Sequence, residues 1–232
     1  ELQYYQYEET PEFELLDHDY LDVLLEKYTL SATHLNTYLK CPVTFYFNHV
    51  LKVPSAKSES ASFGTAIHAA LEELFKRYGD TKVMPTEEEV IGFFDYSMFL
   101  NRDSFTEQGY KRHKEHGKQT LSKYYKHYLK EWEQESVYSI EKNLAHIELA
   151  GVPIKGKLDK ILFDGNNAYV IDFKTGNFEN AVKKCKPPKE DPKEGNYEET
   201  YGGDYWRQMV FYHLLIDNYT EKSWKMHRGE MN

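Results

Sequence analysis

The sequence predicts an α/β fold in which a central β-sheet is flanked by helices. Residues 154–176 indicate two strands and a tight turn, because apolar and polar side chains alternate between Tyr169 and Lys174. Residues 64–75 and 205–216 instead carry apolar side chains at helical spacing. The chain has 232 residues, 40% of them hydrophobic and 16% aromatic, and is therefore large enough to bury one sizeable core.

The register of the predicted hairpin follows from its turn. Residues 164–167 have the sequence Asp-Gly-Asn-Asn, which is typical of a hairpin loop. Whether two or four residues form the loop, Phe163 pairs with Ala168. Counting outward from that pair sets Asp159 directly opposite Asp172, with β-carbons about 5 Å apart. The two carboxylates are therefore predicted to be cross-strand neighbours.

Two opposed carboxylates need a partner, because like charges that face each other across a sheet are destabilising. A divalent cation between them would offset the repulsion, since Mg²⁺ prefers carboxylate and carbonyl oxygens. Lys174 follows Asp172 by two residues, where its ammonium group could meet a metal-bound water or a phosphate. This pattern is typical of a nuclease site.

The residues of this hairpin resemble a known family. Asp159 in GKLDK, followed by Asp172, Phe173 and Lys174 in IDFKTG, is similar to the active-site core of the PD-(D/E)XK nuclease superfamily. A lone D-x-K would be a weak signal. The flanking motifs described next strengthen it.

The flanking motifs resemble the RecB-like branch of that superfamily. His68 in GTAIHAALEELF is similar to its helical histidine motif, and Gln208 and Tyr212 in YWRQMVFYHLL are similar to its Gln-x-x-x-Tyr motif. The opening segment LSATHLNTYLKCPVTFYF resembles the entry segment of nuclease domains fused to helicase-type proteins such as RecB and AddB. Apart from this opening segment, the four motifs, which carry His68, Asp159, Asp172 with Lys174, and Gln208 with Tyr212, occur in the expected order.

The resemblance implies a restriction-endonuclease-like fold, with a central mixed β-sheet flanked by helices and a helical insertion. It also implies a metal-dependent deoxyribonuclease, with Mg²⁺ or Mn²⁺ held by His68, Asp159, Asp172 and the backbone carbonyl of Phe173. The implied catalytic residues are Asp159, Asp172, Lys174, Gln208 and Tyr212. The expected partners are DNA, single-stranded or at duplex ends, and a fused or associated helicase in DNA repair. Exonuclease action is expected, although residue spacing does not separate it from endonuclease action.

The chain before the histidine helix divides into three parts. Residues 1–28 are acidic and rich in tyrosine, and we expect a linker or docking arm there, with the nuclease domain over residues 29–232. Ser31 is a candidate N-cap for a helix that ends at Cys41-Pro42. Residues 52–62 are predicted to be a polar connection.

A helical insertion is expected over residues 85–135, with Gly109 and Gly117 as interruptions. Its second half is basic, with interleaved aromatic residues, which suggests a groove for single-stranded DNA. The aromatic residues also form a regular apolar stripe, so packing is the favoured interpretation for them. The lysines of the opposite face can contact DNA in either case; they are Lys123, Lys126 and Lys130.

The remaining elements surround the central hairpin. Residues 138–149 predict a strand that turns at Gly151-Val152-Pro153. Glu141 on this strand could reach the site, but the favoured interpretation is an acid that faces solvent. Residues 183–196, rich in Lys, Pro and Gly, predict a mobile surface loop. No element is predicted after residue 216.

Composition bounds the function further. The net charge of −9 is unusual for a DNA-binding protein, so weak binding by the isolated chain is expected, with lysine and arginine concentrated along one groove. No apolar run is long enough to cross a membrane and no secretory signal is recognised, so we expect a cytoplasmic segment of a longer protein. Some members of the resembled family hold an iron–sulfur cluster through a cysteine near Cys41. The downstream cysteines are absent from this sequence, and a chain cut before them would lack them too. A cluster is not expected from the residues present, and Cys41 is predicted to be a buried thiol.

Two other functions remain open at this stage. A non-catalytic DNA-binding or assembly module could keep the fold, although it would have no need for opposed carboxylates. An RNA-directed or nucleotide-cleaving hydrolase would use the same chemistry.

Overall fold

A mixed four-stranded sheet forms the centre of the computed structural model, which describes residues 18–134 and 138–232. The strands are β1 (Tyr138–Leu149), β2 (Val152–Asp164), β3 (Asn167–Asp172) and β4 (Lys225–Met231), and they lie side by side in that order. β1 and β2, like β2 and β3, are antiparallel, whereas β3 and β4 are parallel. The predicted α/β fold with a mixed sheet flanked by helices is confirmed.

The central hairpin has the predicted register. Phe163 pairs with Ala168, and the regular ladder ends with Lys160 opposite Ile171. Asp159 and Asp172 are each the next residue beyond that last pair. Gly165 has a φ of +59°, a conformation that glycine adopts without steric cost and that a two-residue hairpin loop requires. The sequence therefore sets the hairpin through a local turn.

Helices cover both faces of the sheet. One face packs against α4 (Glu59–Thr81) and α6 (Glu107–Trp132), on which α5 (Glu87–Leu100) lies, and the other packs against α9 (Asp204–Asp217). The alternation along β3 decides which side chain meets which layer: Val170 is buried with the α9 layer, whereas Ile171 and Phe173 are buried with α4 and α6. Asp172, being in phase with Val170, is directed to the α9 side.

The entry segment comprises three helices, α1 (His18–Glu26), α2 (Ala32–Lys40) and α3 (Pro42–Phe45), followed by a π-helical turn over Tyr46–Val50. Ser31 caps α2 as predicted, its hydroxyl accepting a hydrogen bond from the backbone N–H of His34. Residues 1–17 of the predicted arm lie outside the described residues.

The thiol of Cys41 lies between α2 and α3. The prediction that it is buried is wrong, because the residue is partly exposed at this surface junction.

The helical layer differs from the prediction in two places. α4 begins at Glu59, inside the predicted polar connection, because Ser58 caps the backbone N–H of Ala61. α6 runs unbroken through both of its glycines, so the predicted interruptions are wrong. At Gly117 the missing side chain leaves room for the buried ring of Phe94, and tertiary packing thereby outweighs the low helix propensity of glycine.

The apolar stripe of α6 packs into the core, as the favoured interpretation has it. Leu121, Tyr125 and Trp132 are buried there. The three lysines of the opposite face are exposed, and Lys126 forms a salt bridge with Glu87, 3.1 Å away.

The region after β3 contains more structure than predicted. Two short helices, α7 (Phe178–Lys184) and α8 (Tyr197–Tyr201), bracket the predicted loop. The carboxylate of Glu199 accepts hydrogen bonds from Nζ of Lys189 and from the backbone N–H of Lys193, so side-chain contacts hold the intervening chain. β4 was not predicted at all, because the residues of this edge strand lack apolar alternation.

In the described parts of the chain, no helix combines the length and the apolar character needed to span a bilayer.

Candidate active site

A cavity of about 520 Å³ opens where β2 and β3 meet α4 and α9. The motif side chains expected to bind metal or to take part in catalysis all line it. Phe173 does not line it, but its backbone N–H donates to the carboxylate of Asp159. The lining residues from those motifs are His68, Asp159, Asp172, Lys174, Gln208 and Tyr212.

Asp159 is held from two directions. Its Oδ2 atom accepts a hydrogen bond from the backbone N–H of Phe173 at 2.9 Å, and its Oδ1 atom lies 3.2 Å from Nδ1 of His68. Burial disfavours the imidazolium form of His68, but the hydrogen bond and the charge of Asp159 outweigh burial and raise the pKa of His68 above its ordinary value. α4 thus presents its histidine directly to the first acid.

Asp172 is almost fully buried, with 2% of its surface exposed. Its Oδ1 atom accepts hydrogen bonds from the hydroxyl of Tyr212 at 2.8 Å and from Nε2 of Gln208 at 3.0 Å. Its Oδ2 atom forms an ion pair with the ammonium group of Lys174. Burial raises the pKa of Asp172, the nearby charge of Lys174 opposes that rise, and the charge of Asp159 adds to it.

The glutamine of α9 connects the acid to the lysine. Nε2 of Gln208 donates to Asp172 and lies 2.6 Å from the hydroxyl of Tyr212, while its Oε1 atom accepts from Nζ of Lys174 at 3.1 Å. Gln208 and Tyr212 are four residues apart, so one face of α9 directs both side chains to β3. Burial, followed by the charge of Asp172, raises the pKa of Tyr212, which keeps this hydroxyl a hydrogen-bond donor.

The carboxylate oxygens of the cavity fit an oxygen-preferring divalent cation, but Lys174 is paired with one of them in this structure. Over residues 18–134 and 138–232, no three His, Cys, Asp or Glu side chains converge closely enough to hold a metal ion. At Asp172, the Oδ2 atom is paired with the ammonium group of Lys174. One buried carboxylate oxygen therefore remains available to a cation once that ammonium group moves away.

Arg207 supports the site and was missed by the sequence analysis. Its guanidinium group is buried, and it donates to Oδ1 of Asn36 at 2.6 Å, to the backbone carbonyl of Gly202 and to the carboxylate of Asp204. α2 is thereby fastened to the start of α9, next to Gln208. The sequence signal was an arginine inside an apolar helix, but its partner Asn36 lies far away along the chain.

Glu141 does not face solvent as expected. It has a φ of +51°, its side chain is largely buried, and its carboxylate forms an ion pair with Lys157 of β2. Lys157 itself lines the cavity. Glu141 is thus one residue removed from the cavity, in contact with a lysine that lines it.

A comparison with known protein families matches the part of the chain that contains both the sheet and the cavity. The model of the PD-(D/E)XK nuclease superfamily matches residues 29–230. This range includes β1 to β3, all of β4 except its last residue, and the helices α4 and α9 that supply side chains to the cavity. Among curated proteins, no sequence matches the chain.

Proposed function

The match covers most of the chain, so the protein belongs to the PD-(D/E)XK nuclease superfamily, and on that premise we propose that it is a metal-dependent deoxyribonuclease of the RecB/AddB-like branch. Membership supports a nuclease and a nucleic acid substrate. DNA as that substrate, metal dependence and the branch belong to the proposal.

The observation that carries the proposal is the convergence of six side chains on one cavity. Two acids from neighbouring strands, a lysine two residues beyond one of them, and a histidine from α4 contribute charge of both signs. The two polar residues of α9 contact the second acid directly. A carboxylate pair with an adjacent lysine suits the hydrolysis of a phosphodiester, in which negative charge grows on the phosphate oxygens.

A Mg²⁺ or Mn²⁺ ion held by Asp159, Asp172, His68 and the Phe173 carbonyl would polarise the phosphate and acidify a water molecule. The imidazole of His68 makes Mn²⁺ more competitive than it is at a site of oxygen ligands alone. Within the chain, Lys174 balances the charge that develops on the phosphate. Gln208 positions this lysine, because its Oε1 atom accepts a hydrogen bond from the ammonium group while its Nε2 atom donates one to Asp172.

The wider role extends the proposal. By its resemblance to the RecB/AddB-like branch, we place this activity in a larger helicase-nuclease that works in DNA repair in the cytoplasm, with exonuclease action as the expected mode. The rival function is a DNA-binding or assembly module without activity. The paired acids count against that rival, because keeping them opposed costs stability unless they serve chemistry.

The test is incubation of end-labelled single-stranded DNA, duplex DNA and RNA with the protein in Mg²⁺, Mn²⁺ or EDTA. We expect cleavage of DNA in either metal and none in EDTA. Lys174→Ala should lower turnover by about 10², the usual scale for losing one positioned charge, while Lys222→Ala, at an exposed turn, should not change it. Mn²⁺ binding, measured by calorimetry, should persist in Lys174→Ala.

Each outcome separates the alternatives. An intact protein that cleaves nothing in either metal would favour the non-catalytic module. Cleavage of RNA alone would replace the substrate. Equal turnover in the two lysine variants would remove Lys174 from the mechanism.

A further inference from the structure

A second cavity, of about 560 Å³, adjoins the candidate active site. Lys155 lines both cavities and so stands at their junction. The ionisable side chains around the second cavity include Lys27, Lys52, Lys155, His34 and His49, and none of the described residues that line it is acidic. We call it the lysine cavity.

The wall between the two cavities is built by backbone hydrogen bonds. The N–H of Leu30 donates to the carbonyl of Pro153, and the N–H of Lys155 donates to the carbonyl of Leu30, each at 2.9 Å. The hydroxyl of Tyr28 is hydrogen-bonded to Nδ1 of His34 at 2.6 Å. The segment before α2 is thus fixed to β2, and these contacts hold one side of the lysine cavity in place.

Positive charge is concentrated there in a chain whose net charge is −9. All three lysines of the cavity are exposed, and none of them forms a salt bridge within residues 18–134 and 138–232. Burial lowers the pKa of His34 to about 4, and the positive charges of His49, Lys155 and Lys52 add to that shift. Three exposed ammonium groups around a cavity with no acidic side chain among its described lining residues attract an anion.

The lysines of α6 offer a weaker alternative. Lys126 is already paired with Glu87, and none of the three α6 lysines lines the candidate active site. Lys155, by contrast, borders both cavities, so an extended ligand in one can continue into the other.

We propose that the lysine cavity is a second phosphate-binding site, which holds the backbone of the substrate strand on one side of the bond to be cut. The strand crosses from the candidate active site over Lys155 and meets Lys52 and Lys27 beyond it. This inference rests on the proposed function, because it takes the ligand to be a nucleic acid strand. A chain with an unfavourable net charge thereby gains local contacts that hold its substrate.

The test compares two triple variants that remove equal charge. One carries Lys27→Gln, Lys52→Gln and Lys155→Gln; the other carries Lys123→Gln, Lys126→Gln and Lys130→Gln. Glutamine keeps most of the side-chain length at these exposed positions, and circular dichroism checks that both variants fold. Binding of single-stranded oligothymidylate is measured in EDTA by fluorescence anisotropy over a range of KCl concentrations.

The readout is the slope of log K against log salt concentration. Each phosphate contact on a single strand contributes about 0.7 to that slope, so loss of three contacts should reduce it by about 2 in the first variant. The α6 variant should keep the slope of the unmodified protein. Inorganic phosphate should compete only weakly, since one ion cannot span both cavities.

Three results would overturn the inference. They are an unchanged slope in the first variant, an equal reduction in both variants, which would indicate net charge alone, and full competition by inorganic phosphate, which would indicate a free-anion site. Cleavage in Mn²⁺ is measured separately. An unmodified protein that binds with the expected slope but does not cut would refute the proposed function and retain this site.

Discussion

Replacing Tyr212 with phenylalanine tests how much the buried acid depends on α9. The hydroxyl is 2.8 Å from Oδ1 of Asp172, and Tyr212 is 4% exposed, so Tyr212→Phe removes a charge-assisted hydrogen bond without opening a cavity. Such a bond contributes about 1.5–3 kcal/mol. At about 2–4 °C per kcal/mol for a domain of this size, the melting temperature should fall by roughly 3–12 °C.

The assay is urea unfolding at neutral pH in EDTA, repeated at lower pH. Burial raises the pKa of Asp172, and loss of the hydroxyl should raise it further. The cost of Tyr212→Phe is therefore largest where Asp172 is ionised. It should shrink as the pH falls through that pKa, because the neutral acid gains less from the hydrogen bond.

The matched control is Tyr219→Phe, which removes a hydroxyl bonded to Glu221 at an exposed site. That change should cost no more than about 0.5 kcal/mol. If the two variants lost the same stability, or if the loss in Tyr212→Phe did not depend on pH, the hydroxyl would not be stabilising an ionised Asp172.

Three further predictions concern packing and charge. Gly117→Ala should lower the free energy of unfolding, measured in urea, by about 1–3 kcal/mol, because a methyl group there overlaps a buried ring. Gly92→Ala, which faces open space in α5, should raise it by about 0.5–1 kcal/mol. Changes of the same sign in the two variants would contradict this packing. Burial lowers the pKa of His34 to about 4, so between about pH 6.5 and 4 only the unfolded chain takes up the proton, and the free energy of unfolding falls as the pH falls. His34→Gln should make this fall less steep. The change in slope should be less than about 1.4 kcal/mol per pH unit, because the ring is only partly buried. Asp159→Asn should move the pKa of His68 from above to below its ordinary value, because burial is then the largest effect on the imidazole. The measurement is an NMR titration of the ring in EDTA, and an unchanged pKa would contradict the contact between the two side chains.

The parts of the fold that follow from local physics were predictable from the sequence. The turn at Gly165 and the alternation after it fix the hairpin register, and Ser31 marks the start of α2 because its hydroxyl satisfies a free backbone N–H. The four motifs bring their side chains to one cavity, as the resemblance implies. Their roles in metal binding and catalysis stay predictions.

The remaining features depend on contacts between distant parts of the chain. α6 continues through Gly117 because the ring of Phe94 from α5 packs there. The buried guanidinium group of Arg207 is hydrogen-bonded to Asn36, which comes from α2. The ion pair between Lys174 and Asp172 depends on rotamers, which alternation does not specify. The periodicity of the sequence does not predict these partners, because it indicates only which face of a helix or strand is apolar.

The late position of β4 in the sequence has a consequence for synthesis on the ribosome. The backbone N–H of Lys174 donates to the carbonyl of Asn232, and the N–H of Asn232 donates to the carbonyl of Asp172, so the end of β3 is fixed by a strand that comes much later. A nascent chain that has reached α9 already carries all six cavity side chains, but the edge of β3 is still unpaired. Parallel pairing over such a separation forms slowly, because a long loop must close first. We therefore expect the end of β3, and with it the geometry of the candidate active site, to be fixed only after residues 225–232 leave the exit tunnel.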